Sequence, residues 1–245
     1  MIFFRFPFSE TIYTVEETSF SEAVSFLSFD QSEKIDFKGM LKAISGAEFL
    51  NQEVFHDILN TELLDFKEEN SAAYQEKLVK VIDFIKANQL SKLVISRRKL
   101  VQFNDSKLSL SQTFLNLCET YKNAFVYFFI KDGECWLGAF SELLGKFDKK
   151  TSEFQTMSLA GTIPVDENWT DKEIEEQKPV TDFISNTLKN YASEVYKSDT
   201  YDHVSGNIKH LRNDFSAKIS ENDLEKIIYE LHTTPAVCGI PKEIC

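Results

Sequence analysis

The chain has 245 residues, 42% apolar and 27% charged, which suits a soluble globular protein of one large domain or two small ones. A formal net charge of −12 argues against nonspecific nucleic-acid binding. No apolar run approaches a membrane span, and the apolar opening Met1–Phe8, broken by Arg5, lacks the parts of a signal peptide.

Residues 1–60 mix short apolar runs with polar turns and give no firm element. A helix is expected over 71–88, capped by Asn70 or Ser71, with Tyr74, Leu78, Val81, Ile82 and Ile85 on one face. Lys92–Arg97 reads as a short strand, and 111–121 as a second helix. Ala124–Ile130 and Cys135–Phe140 read as a hairpin turned at Lys131-Asp132-Gly133. Residues 153–160 read as a strand ending at Gly161.

Thr170-Asp171-Lys172-Glu173 is a capping-box pattern that opens a long helix, with Ile184, Leu188, Tyr191 and Val195 continuing its stripe. Pro179 inside it predicts a kink. Ser220–Asp223 opens a last helix bearing Leu224, Ile227, Ile228 and Leu231. It should stop near His232, because Pro235 forces extended chain just beyond. Strands and helices alternate without a regular βαβ rhythm, so the fold class is α+β with mostly antiparallel strands.

The cysteines (Cys118, Cys135, Cys238 and Cys245) have neither zinc-ligand spacing nor a disulfide framework, which reads as a reduced, cytoplasmic protein. The 22 phenylalanines supply large buried area.

Some residues invite two readings. Lys92 opens an apolar strand: either it reaches into solvent, or burial fits it to act as a base. Glu142 follows the return strand: either it is solvated, or an apolar pocket keeps it protonated as a general acid. Ser158–Thr162 is an ordinary glycine turn or a close backbone approach to a ligand. Glu173 and Glu176 make an acidic helix face, or one of them ligates a hard cation such as Mg²⁺. His232 is a helix-end histidine favoured by the dipole, or part of a site.

The segment Leu231–Pro241, Leu-His-Thr-Thr-Pro-Ala-Val-Cys-Gly-Ile-Pro, resembles the His-Pro-Thr-Pro-Ala-Val-x-Gly-x-Pro signature of the chorismate-binding enzyme family. Lys92–Arg97 is similar to that family's Lys-Val-Val-Leu-Ser/Ala-Arg strand. Trp136–Leu144 is similar to its Gly-Ala-Ser-Pro-Glu-x-Leu segment, and Ser158–Thr162 to its Ala-Gly-Thr turn. Glu175-Glu176-Gln177 resembles its Glu-Glu-His element, and His210-Leu211-Arg212 a His-Leu segment of structural role. The resemblance runs from about Leu90 to the last residue.

The resemblance implies the chorismate-utilising fold, antiparallel sheets with helices packed outside, as a single domain over 1–245. A lysine at 92 with alanine at 160 implies water as nucleophile and isochorismate or salicylate synthesis, isochorismate first. Lys92 would then be general base and Glu142 general acid, with Mg²⁺ held partly by Glu176. Gly161 and Thr162 would contact chorismate, and His232 would line the pocket. A monomer without nucleic-acid or membrane partners is implied, with the product feeding quinone or siderophore synthesis. Salicylate synthase, which releases pyruvate, is an alternative. In the family the signature is followed by a second metal-binding glutamate, a substrate-binding arginine and core strands. The fold is therefore expected to be C-terminally incomplete, with a catalytically impaired fragment as a further alternative. Phe140-Ser141, Gln177, Pro179 and Thr233 depart from the family pattern.

Overall fold

A computed structural model describes residues 1–51, 69–101 and 109–244, the side chains of 19–23 excepted. The end of the loosely read N-terminal stretch and Cys245 lie outside these residues. Every strand pairing among the described residues is antiparallel, as an α+β fold requires. No helix among them is long and apolar enough to cross a membrane. The chain divides into two compact units: Met1–Phe66 with Val101–Ser141, and Lys67–Leu100 with Glu142–Cys245.

The first unit is a five-stranded sheet of β1 (Ile2–Arg5), β2 (Ile12–Leu27), β3 (Lys34–Ile44), β5 (Phe125–Lys131) and β6 (Glu134–Phe140) in the order β3-β2-β1-β5-β6. Successive strand side chains point to opposite faces. Phe3, Val126, Phe128 and Ile130 therefore share a core with Phe49 of α1 (Gly46–Leu50) and Phe114 of α3 (Leu110–Thr120). Ile2, Phe4 and Phe129 pack with Phe37 on the other face. Phenylalanines thus line both sides of this sheet. The hairpin forms as its sequence predicts, with Asp132 at φ 54° and Gly133 at φ 83°, the positive pair that a two-residue turn demands.

Arg5, which breaks the apolar run in the sequence, is buried at 3% exposure. Its guanidinium donates to the carbonyls of Phe6, Lys122, Tyr121 and Ala124. A buried cation is tolerable here because main-chain dipoles surround it.

The second unit holds a sheet of β7 (Lys146–Asp148), β8 (Glu153–Pro164), β9 (Val195–Lys197), β10 (Tyr201–Ser205) and β11 (Ile208–Lys218). The order is β10-β11-β8-β7, with β9 also on β11. Along β11 the residues Leu211, Asn213, Phe215 and Ala217 are buried and alternate with less buried neighbours. The buried set meets α4 (Asp171–Lys189) and α5 (Leu224–Leu231), which contribute Val180, Ile184, Leu188, Ile227 and Leu231 to one core. Fully burying such side chains is worth about 1.5–3 kcal/mol each.

α4 opens on the expected capping box, with Glu173 accepting from the Thr170 N–H at 3.2 Å and from its hydroxyl. It runs unbroken through Pro179. A single 3₁₀ turn, Glu221–Asp223, precedes α5, and His232 is the C-cap at which α5 stops.

Helix α2 (Ser71–Asn88) has the expected bounds, and Asn70 is its cap, accepting from the Ala73 N–H at 2.9 Å. Its apolar stripe is only half-buried, however, and Ile82 is 46% exposed. The predicted strand Lys92–Arg97 shrinks to β4 (Lys92–Leu93), because its partner β12 (Gly239–Ile240) is equally short.

Candidate active site

All six predicted site residues lie in the second unit. Lys92 is held by pairing: in the β4–β12 ladder it faces Ile240, Leu93 faces Gly239, and the Val94 N–H donates to the Cys238 carbonyl at 2.7 Å. The C-terminal signature therefore holds the lysine strand directly. Such a contact between distant segments leaves no mark in hydrophobic periodicity.

Lys92 projects to α4, where its Nζ lies 3.1 Å from Glu176 Oε1. The lysine side chain is 14% exposed and the carboxylate 31%. The structure thus joins the predicted base and the predicted metal ligand in one ion pair. Glu173, one turn earlier, is committed elsewhere. Its hydrogen bonds to Thr170, and next to Lys172, hold its carboxyl down at about 2.

The Gly161 region differs from expectation. β8 continues to Pro164, and Gly161 is an extra residue within it. Ala160 pairs with Leu211 and Thr162 with His210, so Gly161 has no partner of its own. Its φ of 70° marks a glycine bulge. A methyl group there would stand 3.1 Å from both Cβ and the carbonyl oxygen of Glu173. Glycine is thus required twice, for its backbone angle and for the approach of α4.

Thr162 Oγ1 and the Gly161 carbonyl lie 3.0 Å and 3.2 Å from His210 Nδ1. His210, read from the sequence as structural, belongs with the Gly161–Thr162 pair. The fragment His210-Leu211-Arg212 was the available signal. His203, directly across from it on β10, is pushed below its ordinary value by burial, then by Arg212 and His210.

Glu142 stands exposed after β6, and Leu143 and Leu144 beside it are 39% and 38% exposed. The apolar pocket expected for a protonated acid is not formed by these neighbours, because they face solvent themselves. His232 is half-buried, and its carbonyl accepts from the Lys242 ammonium. A groove of about 420 Å³ runs between α4 and the signature, lined in part by Ser91, Pro179, Phe183, Thr233 and Pro241. None of the six predicted residues lines it.

Magnesium takes few carboxylates and keeps several waters. Glu176, the residue the resemblance assigns to magnesium, is a carboxylate of α4 with 31% of its side chain exposed and Lys92 as its partner. No group of three His, Cys, Asp or Glu side chains surrounds it among the described residues.

The family model described as chorismate binding enzyme matches residues 26–245. The isochorismate synthase MenF of Bacillus subtilis (strain 168) is 28% identical over 204 residues, covering 73% of this chain and 43% of that protein. The chain thus spans less than half the length of that curated relative. A solved structure described as a 2,3-dihydroxybenzoate-specific isochorismate synthase, DhbC of Bacillus anthracis, superposes with a TM-score of 0.71 at 18% identity. It is covered to 75% by 99% of this chain. MenF of Escherichia coli, a menaquinone-specific isochorismate synthase, gives 0.65 at 14% identity, with 99% of this chain and 70% of that one covered. At such identities the likeness bears on the fold, which is the one expected.

Proposed function

Because the chain belongs to the chorismate-binding enzyme family, we propose that it acts on chorismate as an isochorismate synthase. The observation that carries this reading is the pairing of Lys92 with Glu176 in a chain whose curated relative is an isochorismate synthase. In this reading Lys92, once released from Glu176, takes a proton from water as the water's oxygen bonds to C2 of chorismate. Both ring double bonds shift, C1=C2 to C6=C1 and C5=C6 to C4=C5, and the C4 hydroxyl departs, accepting a proton from Glu142. Atoms balance: one water enters and one leaves.

Each role makes a physical demand. Lys92 must part from Glu176, 3.1 Å away, before its amine can meet the attacking water. Glu142, exposed in the chain alone, must be enclosed by bound substrate to serve as the acid. Gly161 offers main-chain groups at the bulge, and Thr162 and His210 offer polar side-chain atoms. His232 is assigned to the pocket wall. Magnesium, when bound, would neutralise the ring carboxylate, with Glu176 as its described ligand.

The test is chorismate consumption by the purified chain, with and without magnesium, products being separated by chromatography. Isochorismate formed with magnesium and lost in Lys92→Ala is the expected result. Salicylate with pyruvate would replace the assignment by a salicylate synthase. No turnover by the folded chain would overturn it.

A further inference from the structure

α4 lies on the sheet through a stripe that is mostly apolar, with Val180, Ile184 and Leu188 buried. Such contacts are non-directional and tolerate rotation. At one level the stripe turns polar. Gln177, Thr181, Ser158 and Asn213 are 4%, 8%, 0% and 1% exposed. Gln177 Nε2 donates to Ser158 Oγ at 3.0 Å and to Asn213 Oδ1 at 3.2 Å. Thr181 Oγ1 lies 2.9 Å from Ser158 Oγ and donates to Asn213 Oδ1 at 3.2 Å. Asn213 Nδ2 in turn donates to the Ser198 carbonyl at 3.0 Å and to Thr200 Oγ1 at 2.9 Å. Ser158 and Asn213 are themselves a cross-strand pair of β8 and β11, so the seam ties α4 to both central strands.

The seam includes an unfavourable feature. Gln177 Oε1 is buried without a partner, and an orphaned acceptor costs more than an apolar side chain of the same shape. Packing alone does not account for it. Two facts place its use at Glu176. Adjacent residues of a helix point about 100° apart, so fixing the direction of Gln177 fixes that of Glu176. Pro179 has no N–H to donate to the Glu175 carbonyl, so this turn of α4 lacks one of its own main-chain bonds.

We propose that Gln177 is a positioning residue: through its bonds to Ser158 and Asn213 it sets the rotation of α4 that turns Glu176 to Lys92. The pairing matters for catalysis only if the proposed function holds, but the positioning is testable without turnover.

The experiment is acylation of the folded chain by acetic anhydride, with the rate at each lysine read by peptide mass spectrometry. An amine packed against a carboxylate and only 14% exposed is shielded from the reagent and acylates slowly. Lys209, 12% exposed and 3.2 Å from Asp202 in the same unit, is the internal control. Glu176→Gln sets the rate of Lys92 without this carboxylate. In Gln177→Met and Ser158→Ala the Lys92 rate should rise about fivefold or more toward that limit, with Lys209 unchanged. Gln177→His, which keeps a ring N–H donor, should restore the slow rate. If Gln177→Met does not fold, Ser158→Ala decides alone. An unchanged Lys92 rate in the variants, a parallel rise at Lys209, or no effect of Glu176→Gln overturns the proposal. A chain that turns over no chorismate yet gives the expected rates would overturn the functional reading and leave the positioning in place.

Discussion

Lys92 Nζ and Glu176 Oε1, 84 residues apart in the chain, meet at 3.1 Å and tie β4 to α4. With 14% and 31% of the side chains exposed, solvent screens the pair only in part. A double-mutant cycle of Lys92→Met and Glu176→Gln, read from urea unfolding, should give a coupling of about 0.5–1 kcal/mol. A coupling of zero would mean that the pair does not persist in solution.

Gly161→Ala places a Cβ at φ 70° and 3.1 Å from Glu173, so the stability loss should be about 1–3 kcal/mol. Gly133→Ala, at φ 83° in the open β5–β6 turn with nothing within 4 Å, carries the backbone strain alone. Chorismate turnover should fall in the first variant and stay near wild type in the second. Equal turnover in both would remove the bulge from the site.

Acid should weaken the start of α4. The Glu173 carboxyl is lowered from 4.5 to about 2, first by its Thr170 hydrogen bond. A depressed acid stabilises the fold above its unfolded value, and that stability is lost as the pH falls through the folded value. The wild-type urea midpoint should therefore decline between about pH 4.5 and pH 2, with a shallower decline in Glu173→Gln. Identical slopes would show that the capping carboxylate is not ionised in the folded state.

The opposite limb belongs to Tyr191, whose hydroxyl donates to Glu230 at 2.5 Å. That hydrogen bond raises the phenol from 10 to about 12. A raised group stabilises below its unfolded value and loses the effect as the pH climbs through the folded one. Spectrophotometric titration should place one tyrosine near 12, absent in Tyr191→Phe. A Tyr191→Phe titration identical to wild type would refute the contact.

Ile227 and Ile228 are neighbours on α5, at 0% and 38% exposure. Ile227→Ala should cost about 2–5 kcal/mol and Ile228→Ala well under half of that. Similar costs would mean that α5 is seated with a different face on the core.

Where local pattern decides the outcome, the sequence was readable. The bounds of α2, the Asp132-Gly133 hairpin, the capping box of α4 and the stop of α5 at His232 each follow from caps, turn residues and periodicity over a few neighbours. Family membership was readable too, from ordered segments closed by the signature at His232–Pro241. Two local readings failed for lack of long-range information. The strand at Lys92 is only as long as its partner β12, and β8 passes through Gly161 because β11 keeps pairing on either side of the bulge.

The sequence by itself determined the family, since residue type and order are all that a motif needs. The tertiary structure alone decided which candidate residues meet. It set Lys92 against Glu176, brought His210 to Thr162 and left Glu142 in solvent. The physical reason is that these arrangements depend on how strands pair and how α4 rests on β8 and β11. That fit comes from side-chain packing and a buried polar seam between elements far apart in the chain, which no local periodicity encodes.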